Sequence, residues 1–250
     1  MAPLYKNFIY DESRGFVFVY VPKVACTNWK AILRQMLGFE NWLDPSLAHD
    51  RSNGGLRYLD AAGPERAIIL DPSVKKYTMV RNPYTRLLSA YLNKFESRLN
   101  KPRRENGKDF FDEIFQEIDL YRLEALGNDA FPEVTFEVFI RWIANKEKFT
   151  PPVLYMRTNE HWARQSDLLL WPEIKFDIIG RFENMREDSN RILQAMGSEM
   201  NFPTQLEVKF APTDATSKIE KYFTPIAVKI IAEWFRDDFS ALGYSSDFPN

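Results

Sequence analysis

The chain has 250 residues, 45% of them hydrophobic and 27% charged, with a formal net charge of −2. That supplies apolar material for one sizeable core, so a single domain over 1–250 is expected. The balanced charge excludes a broad basic face and, with it, bulk nucleic-acid binding.

In chain order, Met1–Tyr10 lacks the apolar segment of a signal peptide. The apolar run Phe16–Val21 predicts a buried central strand. A tight loop, Pro22-Lys23-Val24-Ala25-Cys26, leads into a helix over Thr27–Leu37. Tyr77–Val80 predicts a second buried strand. Asn82-Pro83 then opens a helix, Asn as cap and Pro at the first helical position. Tyr84, Leu87, Leu88, Tyr91 and Phe95 share one face of that helix, which is predicted to reach Phe95. Further helices are predicted over Phe110–Ala125 and Phe136–Ala144, with Phe136, Phe139 and Trp142 as a core stripe. A third strand is predicted at Phe176–Ile179 and a helix at Met185–Met196. Thr224-Pro225 repeats the cap-plus-proline signature ahead of a helix to Leu242. The loops at Ser52–Gly55, Lys101–Gly107 and Thr150–Pro152 read as excursions from one domain.

Buried strands alternating with helices predict an α/β protein, a P-loop-like three-layer fold with a central, mainly parallel sheet flanked by helices. No run reaches the roughly 20 apolar residues of a membrane span. With Cys26 the sole cysteine, no intramolecular disulfide is possible. The expectation is a soluble, cytoplasmic chain. His49, His161 and Cys26 lack metal-ligand spacing, so no metal site is expected.

Ligands of open α/β sheets bind at the carboxyl ends of strands, and two such ends carry cations. At the first, Lys23 precedes a helix N-terminus, where unpaired N–H groups and a partial positive charge attract phosphates. Val24, Ala25, Cys26 and Asn28 offer backbone N–H groups, two of them behind small side chains, and Thr27 adds a hydroxyl. This is not a Walker A loop: G-x-x-x-x-G-K-[ST] is absent, and the lysine comes first. At the second, Arg81 ends a strand and is suited to bidentate phosphate contacts, with Ser89 eight residues later. Arg86 is either a third contact or a surface charge. Two cradles suggest a ligand with phosphate-type groups at both ends. No acidic residue stands at a Walker B position.

Pro22-Lys23-Val24-Ala25-Cys26-Thr27-Asn28-Trp29-Lys30 resembles the 5′-phosphosulfate loop of the Golgi carbohydrate sulfotransferases, the chondroitin and dermatan group most closely. Val80–Tyr91 resembles that family's 3′-phosphate site, including the Arg-to-Ser spacing. Asn159-Glu160-His161-Trp162, Phe176–Asn184, Tyr222-Phe223-Thr224, Asp238-Phe239 and Leu242-Gly243-Tyr244 look like further family elements, so the likeness covers about residues 14–245. Golgi members carry an N-terminal anchor and several lumenal cysteines. This sequence shows neither, and it is similar to free-standing bacterial-type members.

The resemblance implies transfer of a sulfuryl group from 3′-phosphoadenosine 5′-phosphosulfate (PAPS) to a hydroxyl or amine of a glycan or other small-molecule acceptor, without a metal. Lys23 would neutralise the leaving oxygen. The Val24–Asn28 loop would hold the 5′-phosphate, and Arg81 with Ser89 the 3′-phosphate. Lys209 is a further phosphate ligand on this reading. Histidine titrates in the range a general base needs. His49 is favoured as base and His161 for substrate binding, with Glu160 and Asp50 as weaker alternatives. Trp29 is assigned to the core, although it adjoins the pocket. The basic loop Lys101–Arg104 is either an acceptor or donor contact or a solvated surface. Arg157 and Arg164 flank the His161 element as acceptor contacts. The alternatives are a P-loop small-molecule kinase using ATP–magnesium and a non-catalytic nucleotide-binding protein. The missing Walker order speaks against the first and the intact Lys23 against the second.

Overall fold

Five strands form one sheet in the computed structural model, which describes residues 6–99, 110–145, 158–203 and 213–249. They are β1 (Phe8–Asp11), β2 (Phe16–Val19), β3 (Arg57–Leu59), β4 (Lys75–Val80) and β5 (Ile178–Arg181), in the spatial order β3-β1-β2-β4-β5. β2, β4 and β5 run parallel, with Phe18 opposite Tyr77 and Tyr77 opposite Ile178. β1 joins β2 and β3 in antiparallel pairs. The parallel strands are the three predicted ones. Every residue of β2 and five of the six in β4 are buried, as strands covered on both faces must be. β1 and β3 were not foreseen. Each is too short to show a period-two pattern, and each exists by pairing with a neighbour through hydrogen bonds.

Two compact units carry these elements. The sheet unit comprises Pro3–Asn82 and Gln165–Pro212. It holds the helices α1 (Cys26–Met36), α2 (Pro45–His49) and α3 (Arg66–Leu70), and a helix over Met185–Ala195. Trp29, fully buried, anchors α1: its ring stacks on Phe18 at 4.4 Å and tilts against Phe202 at 4.9 Å. Truncating such a side chain typically costs about 3–5 kcal/mol, and the core assignment of Trp29 holds. Gly180 in β5 permits close approach of its neighbours, because a Cβ there would stand 2.2 Å from Met79 Sδ and 3.0 Å from Ile192 Cδ1.

The second unit, mainly Pro83–Arg164 and Thr213–Asn250, is helical. Helix α4 (Pro83–Tyr91) continues through a π-helical stretch at Leu92–Glu96. Tyr84, Leu87, Leu88, Tyr91 and Phe95 are all buried, as the spacing predicts. They pack with Phe136, Phe139, Trp142 and Trp162 in an aromatic core. The helix over Phe136–Ala144 has its predicted bounds and is capped by the Thr135 side chain. Thr224 likewise accepts from the Ala227 N–H and opens a helix at Pro225. That helix ends at Trp234, and a second runs over Arg236–Ala241, instead of one continuous element to Leu242. The break falls at Phe235, whose non-helical backbone ends one helix and starts the next, with Phe235 and Phe239 both buried.

Candidate active site

The loop after β2 has an uncommon backbone. Lys23 and Ala25 both have positive φ, 70° and 51°. Non-glycine residues seldom adopt this left-handed region, and where they do the strain commonly serves a site. Ala25 is the N-cap of α1, and no side chain caps the helix. The first turn of a helix has no intrahelical acceptors for its N–H groups. Left-handed residues alternating with others turn successive N–H groups into one concavity, an anion nest. Val24 is buried and bonds back to the Val21 carbonyl at 3.2 Å, while Lys23 and Ala25–Asn28 are half-buried. The basic side chain, the backbone donors and the Thr27 hydroxyl therefore share one loop.

His49 is brought to that loop by tertiary structure. It lies in the last turn of α2, whose start is fixed by Pro45 and by Asp44 accepting from the Ser46 N–H. Its Nε2 is 3.3 Å from Thr27 Oγ1. Three devices hold the segment. Buried Arg34 donates to the Gly54 carbonyl and, at 2.7 Å, to Asn41 Oδ1, so it clamps both flanks of α2. Gly54 packs so closely that a Cβ would meet the Leu47 and Asp50 carbonyl oxygens at 2.3 Å. Arg51 donates to the Tyr20 hydroxyl at 2.5 Å, and Lys30 Nζ sits 3.9 Å from the centre of the Tyr20 ring. Asp50, the weaker candidate base, accepts from Asn53 and Ser52. The Asn53 side chain above all holds its carboxyl below the usual range, which suits a structural acceptor better than a base.

Arg81 is 4% exposed at the end of β4. Its N–H donates to Gln165 Oε1 at 3.0 Å, and its carbonyl accepts from Gln165 Nε2 at 2.7 Å. The guanidinium lies 4.0 Å over the Phe182 ring and donates to the Lys23 carbonyl at 3.3 Å. The two predicted cation positions are thus in contact. The N–H of Asn82 donates to Glu183 Oε1 at 2.8 Å.

The helical unit carries the remaining predicted residues. Ser89 is 3% exposed, with Oγ 2.8 Å from Thr213 Oγ1. Arg86 is no surface charge: it is 1% exposed and donates to the Ala163 and Glu160 carbonyls at 2.7 and 2.9 Å. It therefore props the Asn-Glu-His-Trp segment. His161 places Nδ1 2.7 Å from Asn159 Oδ1, which also accepts the His161 backbone N–H. With Nδ1 as donor, the lone pair of the neutral ring lies on Nε2. The His161 ring meets Phe111 edge-on at 5.2 Å. Arg164 pairs with Asp237 at 2.7 Å. Lys209, Lys101–Arg104 and Arg157 lie outside the described residues. Tyr20, Arg51 and Gln165 were missed from sequence. Gln165 is 84 positions from Arg81, and nothing local marks any of the three. Among the described residues, no cluster of three or more His, Cys, Asp or Glu is placed to hold a metal ion.

A parallel sheet whose strand ends present Lys23 in an uncapped nest and a buried arginine beside it has the form of an α/β protein that handles phosphate-type anions. The family model described as "Sulfotransferase family" matches residues 6–245. The chain belongs to that family and is a sulfotransferase. It is 27% identical to mouse (Mus musculus) carbohydrate sulfotransferase 11 over 96% of this chain and 67% of the relative. It is 31% identical to mouse carbohydrate sulfotransferase 14 over 76% of this chain and 46% of the relative. It is 27% identical to chicken (Gallus gallus) carbohydrate sulfotransferase 10 over 95% and 66%. The chain thus spans roughly half to two thirds of the length of these curated relatives. No solved structure matches it significantly. Among the described residues, no helix is long and apolar enough to cross a membrane.

Proposed function

We propose that this chain, as one sulfotransferase domain over 1–250, transfers a sulfuryl group from PAPS to a hydroxyl or amine of an acceptor, a carbohydrate or other small molecule. The observation that carries the reading is the left-handed Lys23–Ala25 loop opening an uncapped helix, with the Arg81 guanidinium on the Lys23 carbonyl. The family membership supports a sulfuryl donor over the ATP–magnesium of a kinase. The carbohydrate acceptor is supported by the names of the relatives. A cytoplasmic setting is supported by the single cysteine.

On this reading the acceptor oxygen attacks sulfur as the bond from sulfur to the bridging oxygen breaks, and adenosine 3′,5′-bisphosphate leaves. Lys23 neutralises the charge that develops on that oxygen, a preorganised electrostatic role. The N–H groups of Ala25–Asn28 and the Thr27 hydroxyl hold the 5′-phosphate, while the predicted Val24 N–H is taken by the Val21 carbonyl and serves the turn instead. Arg81 and Ser89 hold the 3′-phosphate, and Lys209 assists. His49, beside Thr27, accepts the acceptor's proton, and His161 orients the acceptor. Placement and charge stabilisation carry most of the rate, as in phosphoryl transfer.

Calorimetric titration with adenosine 3′,5′-bisphosphate, beside AMP and ATP–magnesium, tests this. Strong preference for the bisphosphate is expected. Preference for ATP–magnesium returns the kinase, and bisphosphate binding without turnover on any acceptor returns the non-catalytic alternative.

A further inference from the structure

At the end of β4 the chain outruns both neighbouring strands. Pairing with β2 stops at Thr78, and the last partner in β5 is Arg181, opposite Val80. Arg81 comes next and is still only 4% exposed. Its N–H and carbonyl therefore lie beyond the ladder, and buried backbone groups need partners. One side chain supplies both. The Arg81 N–H donates to Gln165 Oε1 at 3.0 Å, and Gln165 Nε2 donates to the Arg81 carbonyl at 2.7 Å. A side-chain amide carries the donor and acceptor of a peptide together, so Gln165 stands in for a neighbouring strand. It is fully buried, as are Leu168 and Leu169 at the end of the short helix that it opens. The following N–H, of Asn82, donates to Glu183 Oε1 at 2.8 Å, and Pro83 has none to give. With the main chain committed in this way, what this strand end has for an anion is the Arg81 guanidinium. A guanidinium presents its donors in a fixed planar fork, so direction decides how well it grips. The Arg81 side chain leaves from the Cα whose two flanking groups Gln165 holds, and it lies 4.0 Å over the Phe182 ring.

We propose that Gln165 is a positioning residue for donor selectivity: by clamping the Arg81 backbone it aims the guanidinium at the 3′-phosphate and so separates adenosine 3′,5′-bisphosphate from AMP. The role rests on the reading of Arg81 as the 3′-phosphate contact of a PAPS site. Gln165 acts through Arg81 and touches no ligand itself. Without the clamp, Arg81 keeps its charge but loses its aim, and the cost of ordering it falls on each binding event.

The test is calorimetry on the full chain with adenosine 3′,5′-bisphosphate and with AMP, for the parent, Gln165→Met, Arg81→Ala and the double variant. Methionine matches glutamine in length but satisfies neither backbone group. Gln165→Met is expected to weaken the bisphosphate by about tenfold, the scale of re-ordering one rotamer-rich side chain, and to change AMP by less than about twofold. In the Arg81→Ala background it should change neither, because a residue that acts only through the guanidinium has no effect once that group is gone. Gln165→Asn keeps the amide but is one methylene short. It carries the same expectation and keeps the test decisive if the methionine variant does not fold. Equal losses for both ligands, or a bisphosphate loss that persists undiminished in the Arg81→Ala background, overturns the role. If Arg81→Ala itself leaves the preference for the bisphosphate intact, the 3′-phosphate reading fails instead. If Arg81→Ala abolishes that preference while Gln165→Met and Gln165→Asn leave it whole, the positioning role alone fails.

Discussion

The ends of β2 and β4 look alike in sequence: an apolar strand, a basic residue, then a helix. In the fold they are opposites. After β2, the chain passes through two left-handed residues into a helix that no side chain caps, so backbone donors remain available. After β4, the backbone is committed: Arg81 exchanges two hydrogen bonds with Gln165, and the Asn82 N–H goes to Glu183. What that end offers is a guanidinium, held 4.0 Å over the Phe182 ring. On the proposed reading, one cradle works through its main chain plus the Lys23 side chain. The other works through a single fixed side chain. The first suits a group whose charge changes during reaction, and the second suits one that only has to be gripped.

Substitutions can break this contrast. The largest effect is expected from Lys23→Ala: kcat should fall by about 10²–10³, the scale of losing one preorganised electrostatic group, with far smaller loss of bisphosphate affinity. Equal losses in both would move Lys23 from leaving-group stabilisation to simple binding. His49→Ala should lower kcat by about 10² and remove the acid limb of the pH–rate profile, the usual share of a general base. His161→Ala should raise KM instead. Turnover that survives His49→Ala at every pH ends the base assignment. Arg81→Ala should weaken adenosine 3′,5′-bisphosphate by about 10–100-fold and AMP hardly at all, as expected for lost hydrogen bonds to a charged group. A uniform loss for both ligands would place the arginine on the 5′ side, where it already meets the Lys23 carbonyl.

Smaller effects sharpen the contrast. Tyr20→Phe deletes the hydroxyl that accepts from Arg51 and should cost about 1 kcal/mol of stability. It should lower kcat several-fold with bisphosphate affinity unchanged, because the Arg51 strap steadies His49. A raised KM for the acceptor with kcat unchanged would show a binding role instead. The smallest effect is in acid. Burial pushes the Asp177 carboxyl up, but hydrogen bonds from the Lys75 ammonium and the Lys76 N–H outweigh it and hold it below its ordinary value. A depressed carboxylate stabilises the fold fully above its unfolded pKa, near pH 4. That contribution is lost as pH falls through the folded value. Tm should therefore hold above about pH 5 and drop below it, and Asp177→Asn should flatten part of the drop.

Local pattern determined a good deal here. The buried strands, the helix starts at Pro83, Phe136 and Pro225, the aromatic stripes and both cation positions were legible because each depends on neighbours within a turn or two of chain. So was the family likeness, carried by contiguous motifs. Three things were decided only by the tertiary structure. Short β3 exists through long-range pairing with β1, which itself closes a hairpin with β2. The helix predicted to reach Leu242 breaks at Phe235, where two phenylalanines are buried together. Within each unit the contacts around the predicted residues join distant parts of the chain: in the sheet unit His49 against Thr27, Arg51 on Tyr20 and Gln165 locking Arg81, and in the helical unit Arg86 turned inward to hold the His161 segment. Sequence spacing encodes which face of one element a side chain occupies. It does not encode which other element arrives there, because that is settled by packing and by the need of each buried polar group for a partner.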